Sequence, residues 1–239
     1  MRAPRERHGC GWLLPLLAVL LAGCNWPGRP KPEDKPVPED QVTDFGKLYA
    51  RNCAGCHGAE GKLGPAPPLN DALFLAIVPD EELLRVVSEG RPGTPMPAFA
   101  REKGGRLTAK QVEAVAKGLK PRWGGPPPKE QAPPYLAPKG AGDEKRGKDL
   151  FDLACAACHG EKGKGGEEAG ALNDRAFLAL ISDQALRRII ITGRPDLGMP
   201  DYTVTDYRSP KYKPLTSEQI QDLVALLAYW RVGGAANGK

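Results

Sequence analysis

The sequence predicts an all-α protein built as two copies of one small domain. Three observations carry this. Apolar residues recur at helical spacing in several short stretches, each bounded by capping signals or glycine. No run of alternating β-branched residues argues for a sheet. The sequence also repeats itself: Cys53-Ala-Gly-Cys56-His57-Gly58 returns 102 residues on as Cys155-Ala-Ala-Cys158-His159-Gly160, and Leu69-Asn70-Asp71 returns 103 on as Leu172-Asn173-Asp174. Phe74-Leu75, Gly90-Arg91-Pro92 and Met96-Pro97 recur as Phe177-Leu178, Gly193-Arg194-Pro195 and Met199-Pro200. Thr108 and Gln111 recur 108 on, as Thr216 and Gln219, so the second copy gains five residues between Met199 and Thr216. Two copies of this length are a tandem of domains rather than a solenoid.

The chain opens with an export signal. Residues 1–23 combine Arg2, Arg5 and Arg7 with an apolar block, residues 12–22. The block has signal-peptide length, short of the ~20 residues that span a bilayer. It ends Leu21-Ala22-Gly23-Cys24, which resembles a bacterial lipobox, with Cys24 as the lipidated first residue of the mature chain. An ordinary secretory signal with a chance cysteine is the plainer alternative. Cys10 falls in the discarded segment. Residues 24–43 interleave proline with charge and read as an extended tether. The expected product is exported and lipid-anchored to the cell membrane or outer membrane, with its domains in the periplasm.

The first domain is expected over residues 44–122, a Pro/Gly-rich linker over 123–142, the second domain over 143–233 and a tail over 234–239. Each copy reads alike. A helix of about two turns carries Leu48-Tyr49 or Leu150-Phe151. A middle helix carries Leu83, Leu84, Val86 and Val87, or Leu186, Ile189 and Ile190. Pro79 suits its first turn in copy one and Ser182 its N-cap in copy two, and Gly90 or Gly193 ends it. The last helix opens with the capping box Thr108-x-x-Gln111 or Thr216-x-x-Gln219. Its apolar face is Val112, Val115, Ala116 and Leu119, or Ile220, Leu223, Val224 and Leu227. Such domains are short of core, so something further is expected at their centres.

Composition narrows the chemistry. Gly (29) and Pro (25) make up nearly a quarter of 239 residues, while aromatics are 6%. The net charge of +5 and the lack of a basic stripe give no reason to expect nucleic acid. There are three His, three Met and six Cys in all. Cys-x-x-Cys-His is the attachment signal of c-type haem: the two thiols add to the porphyrin vinyl groups and the adjacent His becomes the proximal ligand. The residues so marked are Cys53, Cys56 and His57, then Cys155, Cys158 and His159. Structural zinc needs four N/S ligands, and each copy offers only two Cys and one His. A zinc site shared between copies is conceivable but leaves the downstream methionines unexplained. A thioredoxin-like redox pair would want a βαβ setting. Met96 lies 39 residues after His57 and Met199 lies 40 after His159, both between Gly-Arg-Pro and Pro. One Met per copy, at the same place in an irregular segment, points to the sixth iron ligand rather than to core filling. His/Met ligation is the electron-transfer pattern. Gly198 stands where the first copy has Pro95, so a less constrained Met199 loop is expected.

On these residues, continued by Pro97-Ala98-Phe99 and by Gly104-Gly105-x-Leu107-Thr108, the chain resembles tandem class I cytochrome c domains. The type is similar to that of cbb3-type oxidase subunit III, and the two-domain plan to diheme c4-type cytochromes. The second copy departs at Pro200-Asp201-Tyr202, and a lipoprotein anchor stands where a cbb3 subunit III has a membrane helix. The resemblance implies two covalent haem c groups, each with a His and a Met on the iron. It also implies a backbone carbonyl on the proximal His ring, with Pro68 and Ala171 in the matching places. Leu69 and Leu172 would press on the haem faces, and Arg91 and Arg194 are candidates for the propionates, though each also reads as a solvated arginine at a helix end. Lys62, Lys162 and Lys164 read as solvated charge. The expected function is electron transfer between respiratory-chain redox proteins, with no catalytic residue and no small-molecule substrate. The alternatives are a diheme enzyme, peroxidase or thiosulfate dehydrogenase-like, with a labile axial Met, and a haem subunit of a terminal oxidase complex.

Overall fold

The computed structural model describes residues 31, 35–126, 128, 131–206 and 208–234. The signal segment, Cys24, half of the tether and most of the tail lie outside the described residues. Five α-helices in the first copy are matched in order by five in the second. The first set is α1 (Phe45–Asn52), α2 (Ala54–His57), α3 (Ala72–Ile77), α4 (Asp80–Glu89) and α5 (Ala109–Trp123). The second is α6 (Glu144–Ala154), α7 (Ala156–His159), α8 (Arg175–Ala179), α9 (Asp183–Thr192) and α10 (Ser217–Arg231). Among the described residues there is no strand, only the isolated bridges Ala100–Leu107 and Arg194–Met199.

Short polar side chains start most of these helices by accepting the otherwise orphaned first-turn N–H groups. Asp44, Asp71, Asp143, Asp174 and Ser182 do so for α1, α3, α6, α8 and α9. Pro79 is the N-cap of α4, one position before the first turn. Both capping boxes form, Thr108 with Gln111 and Thr216 with Gln219. The helix α5 runs through Pro121 to Trp123, one residue into the segment read as linker, and Trp123 meets Tyr49 and Phe45 edge-on.

Each copy packs its own core. In the first, Leu48, Phe74, Leu75 and Leu83 close on Val112, Val115, Ala116 and Leu119. In the second, Phe151, Leu178, Leu186 and Ile191 close on Ile220, Leu223, Val224 and Leu227. The expected apolar face of each last helix is therefore the buried one. The extra residues before Thr216 add Tyr212 to the second core, where its hydroxyl donates to the Tyr202 carbonyl.

The described residues from Asp40 onward form one compact body. Its seam is built by α9 and the linker. Tyr135, only 2% exposed, sits in the first core, so the linker is partly structural. Buried Arg187 donates to the Pro134 and Tyr135 carbonyls and to the carbonyl and hydroxyl of Ser217. Gln184 also donates to the Tyr135 carbonyl.

Candidate functional site

Each Cys-x-x-Cys-His motif closes into a one-turn helix that follows directly on the first long helix of its domain. Cys53 and Cys155 end α1 and α6 and at the same time precede α2 and α7. The His57 N–H donates to the Cys53 carbonyl and the His159 N–H to the Cys155 carbonyl, at 3.0 and 2.9 Å. Both cysteines and the histidine are thereby presented from a single turn. Gly58 and Gly160 turn the chain away with φ of +80° and +72°. A Cβ on Gly58 would lie 1.9 Å from the Lys62 carbonyl oxygen, so this turn admits no side chain. None of the four motif cysteines is in a disulfide; Cys53, Cys155 and Cys158 are half-buried and Cys56 is exposed.

The imidazoles are oriented from behind. His57 Nδ1–H donates to the Pro67 carbonyl at 2.8 Å, and His159 Nδ1–H to the Gly170 carbonyl at 3.2 Å. The acceptors stand one residue before the expected Pro68 and Ala171, because the loop bends so that the preceding carbonyl faces the ring. Committing Nδ1 fixes the tautomer and leaves Nε2 as the nitrogen available to a metal. Burial lowers the His57 pKa to about 4; the bond to Pro67 opposes this, while the charges of Arg188, Arg91 and Arg194 reinforce it. His57 is a neutral imidazole at physiological pH, the form that binds a metal.

The methionines lie in loops seated on the ends of α4 and α9. The Arg91 N–H donates to the Met96 carbonyl at 3.0 Å, and the Met96 N–H to the Thr94 hydroxyl at 3.3 Å. Arg194 and Met199 exchange both backbone bonds, at 2.9 and 3.0 Å. The second loop is thus pinned more fully by backbone bonds than the first, contrary to what Gly198 suggests. Gly198 itself takes φ +82° at the end of a 3₁₀ turn, Pro195–Leu197, which closes the loop. Both methionine side chains are half-buried.

The donor set suits c-type haem: two thiols outside any disulfide, an imidazole with one nitrogen committed to a carbonyl, and a thioether per domain. The half-buried apolar residues Leu69, Phe99 and Cys53 rest on the first core, and Leu172, Ile190 and Cys155 on the second. Among the described residues no three of His, Cys, Asp and Glu gather as a metal site, so a zinc ion shared between the motifs has no counterpart. Arg91 bonds the Tyr135 hydroxyl, and Arg194 forms a two-point pair with Asp196. Lys62, Lys162 and Lys164 are exposed. Sequence reasoning missed Arg188 and Tyr135, whose roles depend on how the domains meet.

Comparison with known proteins agrees with this geometry. Residues 40–117 match the family model "Cytochrome C oxidase, cbb3-type, subunit III", and residues 144–230 match "Cytochrome c". The chain is 30% identical to the cbb3-type cytochrome c oxidase subunit CcoP of Rubrivivax gelatinosus, over 63% of this chain and 45% of that one. It is also 30% identical to the subunit FixP of Bradyrhizobium diazoefficiens, over 62% of this chain and 50% of that one. The chain thus spans about half the length of these relatives. It is 29% identical to the cytochrome bc1 complex cytochrome c subunit of Mycobacterium tuberculosis, over 80% of this chain and 69% of that one. Among the described residues no helix is long and apolar enough to cross a membrane. The chain thus carries two cytochrome c domains in tandem, which imply two covalently bound haem c groups.

Proposed function

We propose that this protein is a membrane-anchored diheme electron carrier of a respiratory chain. In this reading Cys53, Cys56, Cys155 and Cys158 hold the haems by thioether bonds. His57 with Met96 and His159 with Met199 are the axial pairs, in domains spanning residues 44–122 and 143–233. The observation that carries the reading is the repeated pairing of an oriented imidazole with a methionine loop bonded to a helix end. When bound, each haem supplies a one-electron iron couple.

The chain's residues then do four things. The thiols fix the haem in place. The Pro67 and Gly170 carbonyls aim the imidazoles and raise their basicity. The methionine loops would hold the iron with a thioether, a ligand that favours the ferrous state and would leave no position open for a substrate. The apolar residues on each core would shield the haem held there from water. The partners are redox proteins of the respiratory chain, as the names of the relatives suggest, and Cys24 carries the lipid that holds the exported domains at the membrane. Those same names support a second placement of the same chemistry, as a haem subunit of a larger oxidoreductase.

Intact-mass analysis after acid–acetone extraction, together with exposure of the reduced protein to carbon monoxide, tests the reading. The expected result is two retained haems and no rapid carbon monoxide binding. Loss of either haem overturns the covalent assignment. Rapid binding at one haem overturns the carrier reading for that domain and favours a diheme enzyme.

A further inference from the structure

The two domains do not meet as equals. Helices α4 and α9 are repeats of each other, with Arg85 and Arg188 at matching positions before Gly90 and Gly193. Arg85 lies on an open face, paired with Glu82 and Glu89, and its neighbour Leu84 is 41% exposed. Arg188 is 5% exposed and forms no ion pair among the described residues. It belongs to the second domain yet is buried against the first. Its guanidinium lies 3.5 Å over the Phe74 ring, donates to the Pro68 carbonyl and leaves Nε without a partner.

That acceptor matters. Pro68 directly follows Pro67, whose carbonyl holds the His57 ring. The second domain therefore places a buried cation, with no ion-pair partner in contact among the described residues, on the loop that orients the first domain's proximal ligand. Asp71 is the carboxylate whose charge reaches it. The second domain receives nothing comparable. The loop bearing Gly170 is largely exposed, carries Glu167 and Glu168, and accepts no first-domain side chain among the described residues.

We infer that Arg188 is a positioning residue through which the second domain raises the reduction potential of the first domain's haem, making the two haems unequal. A buried positive charge disfavours the ferric state, which carries one more positive charge than the ferrous. The bond to Pro68 also holds the Pro67 carbonyl in register with His57. Electrons arriving at the second domain would then pass toward the first. This rests on the reading that His57 ligates the first haem.

The test is a redox titration of the purified diheme protein, wild type beside Arg188→Lys, Arg188→Gln and Arg188→Met, with thermal unfolding run in parallel. Wild type should show two one-electron waves. Gln and Met should move the higher wave about tenfold in its equilibrium constant, about 59 mV to lower potential, and leave the lower wave in place. Lys should keep most of the wild-type value. Met96→Ala should collapse the higher wave, which assigns it to the first domain. The inference is overturned if neither wave moves or if both move together. It is equally overturned if Lys shifts as far as Met, since Arg188 would then act only by docking the domains. Wild-type protein without a methionine–iron band would refute the ligation reading itself, a result distinct from all of these.

Discussion

Replacing Gly193 by alanine should detach Met199 from its iron while sparing the first domain. Gly193 ends α9 at φ +67°, ψ −164°, a region essentially reserved for glycine. Holding alanine there costs about 1–3 kcal/mol. The added Cβ would also fall 2.5 Å from the Met199 carbonyl oxygen and 2.6 Å from the Pro200 carbonyl carbon. That is nearly an ångström inside ordinary contact, so the methionine loop must retreat and its bond to the Arg194 N–H must stretch. Overpacking of this kind adds about 1–3 kcal/mol. The sum, about 4 kcal/mol, should lower Tm by roughly 8–16 °C and remove half of the red-region methionine–iron absorbance. Gly198→Ala is the control. Gly198 also has a positive φ, +82° with ψ 0°, but its Cβ would meet nothing within 4 Å. It should cost only the backbone strain, about 1–2 kcal/mol, and leave the band intact. If Gly193→Ala keeps the whole band, or destabilises no more than Gly198→Ala, the helix end does not position the methionine and the reasoning is refuted.

Two further predictions concern the anchor and the second core. Cys24→Ser should release the protein from membranes with unchanged haem spectra; retention after carbonate and salt washing would show that protein contacts hold it. Asp222 is 8% exposed and accepts from Arg146 and from the Asp143 N–H, and the Arg146 bond holds its pKa below the usual carboxylate value. A depressed folded pKa gives stability that is present above the unfolded value, near ~4, and is lost as pH falls through the folded one. Asp222→Asn should therefore lower Tm by a few degrees at neutral pH and flatten the acid limb of a Tm–pH profile. An unchanged acid limb would remove Asp222 from the account.

Local chemistry was legible in the sequence and the domain seam was not. Thr108-x-x-Gln111 and Thr216-x-x-Gln219 announce their helices because the capping partners are three residues apart. The haem motif is legible because its ligands come from one turn. The His57 and His159 acceptors are backbone carbonyls, which any residue supplies, so spacing alone missed them by one position. Arg187 and Arg188 carry no local signal of burial, and Tyr135 falls in the segment read as linker. Their burial follows from a contact between residues more than forty positions apart, which no local pattern encodes. The Met199 loop shows the same limit: Gly198 signals freedom, but the paired bonds between Arg194 and Met199 restrain it.

The central claim is that each domain holds its iron between a histidine and a methionine. The most direct test compares the red-region methionine–iron absorbance of oxidised wild type with that of Met96→Ala and Met199→Ala. The account predicts that each variant loses about half the band, keeps both covalent haems and binds carbon monoxide at one iron when reduced. A variant that retains the full wild-type band and excludes carbon monoxide would contradict methionine ligation in that domain.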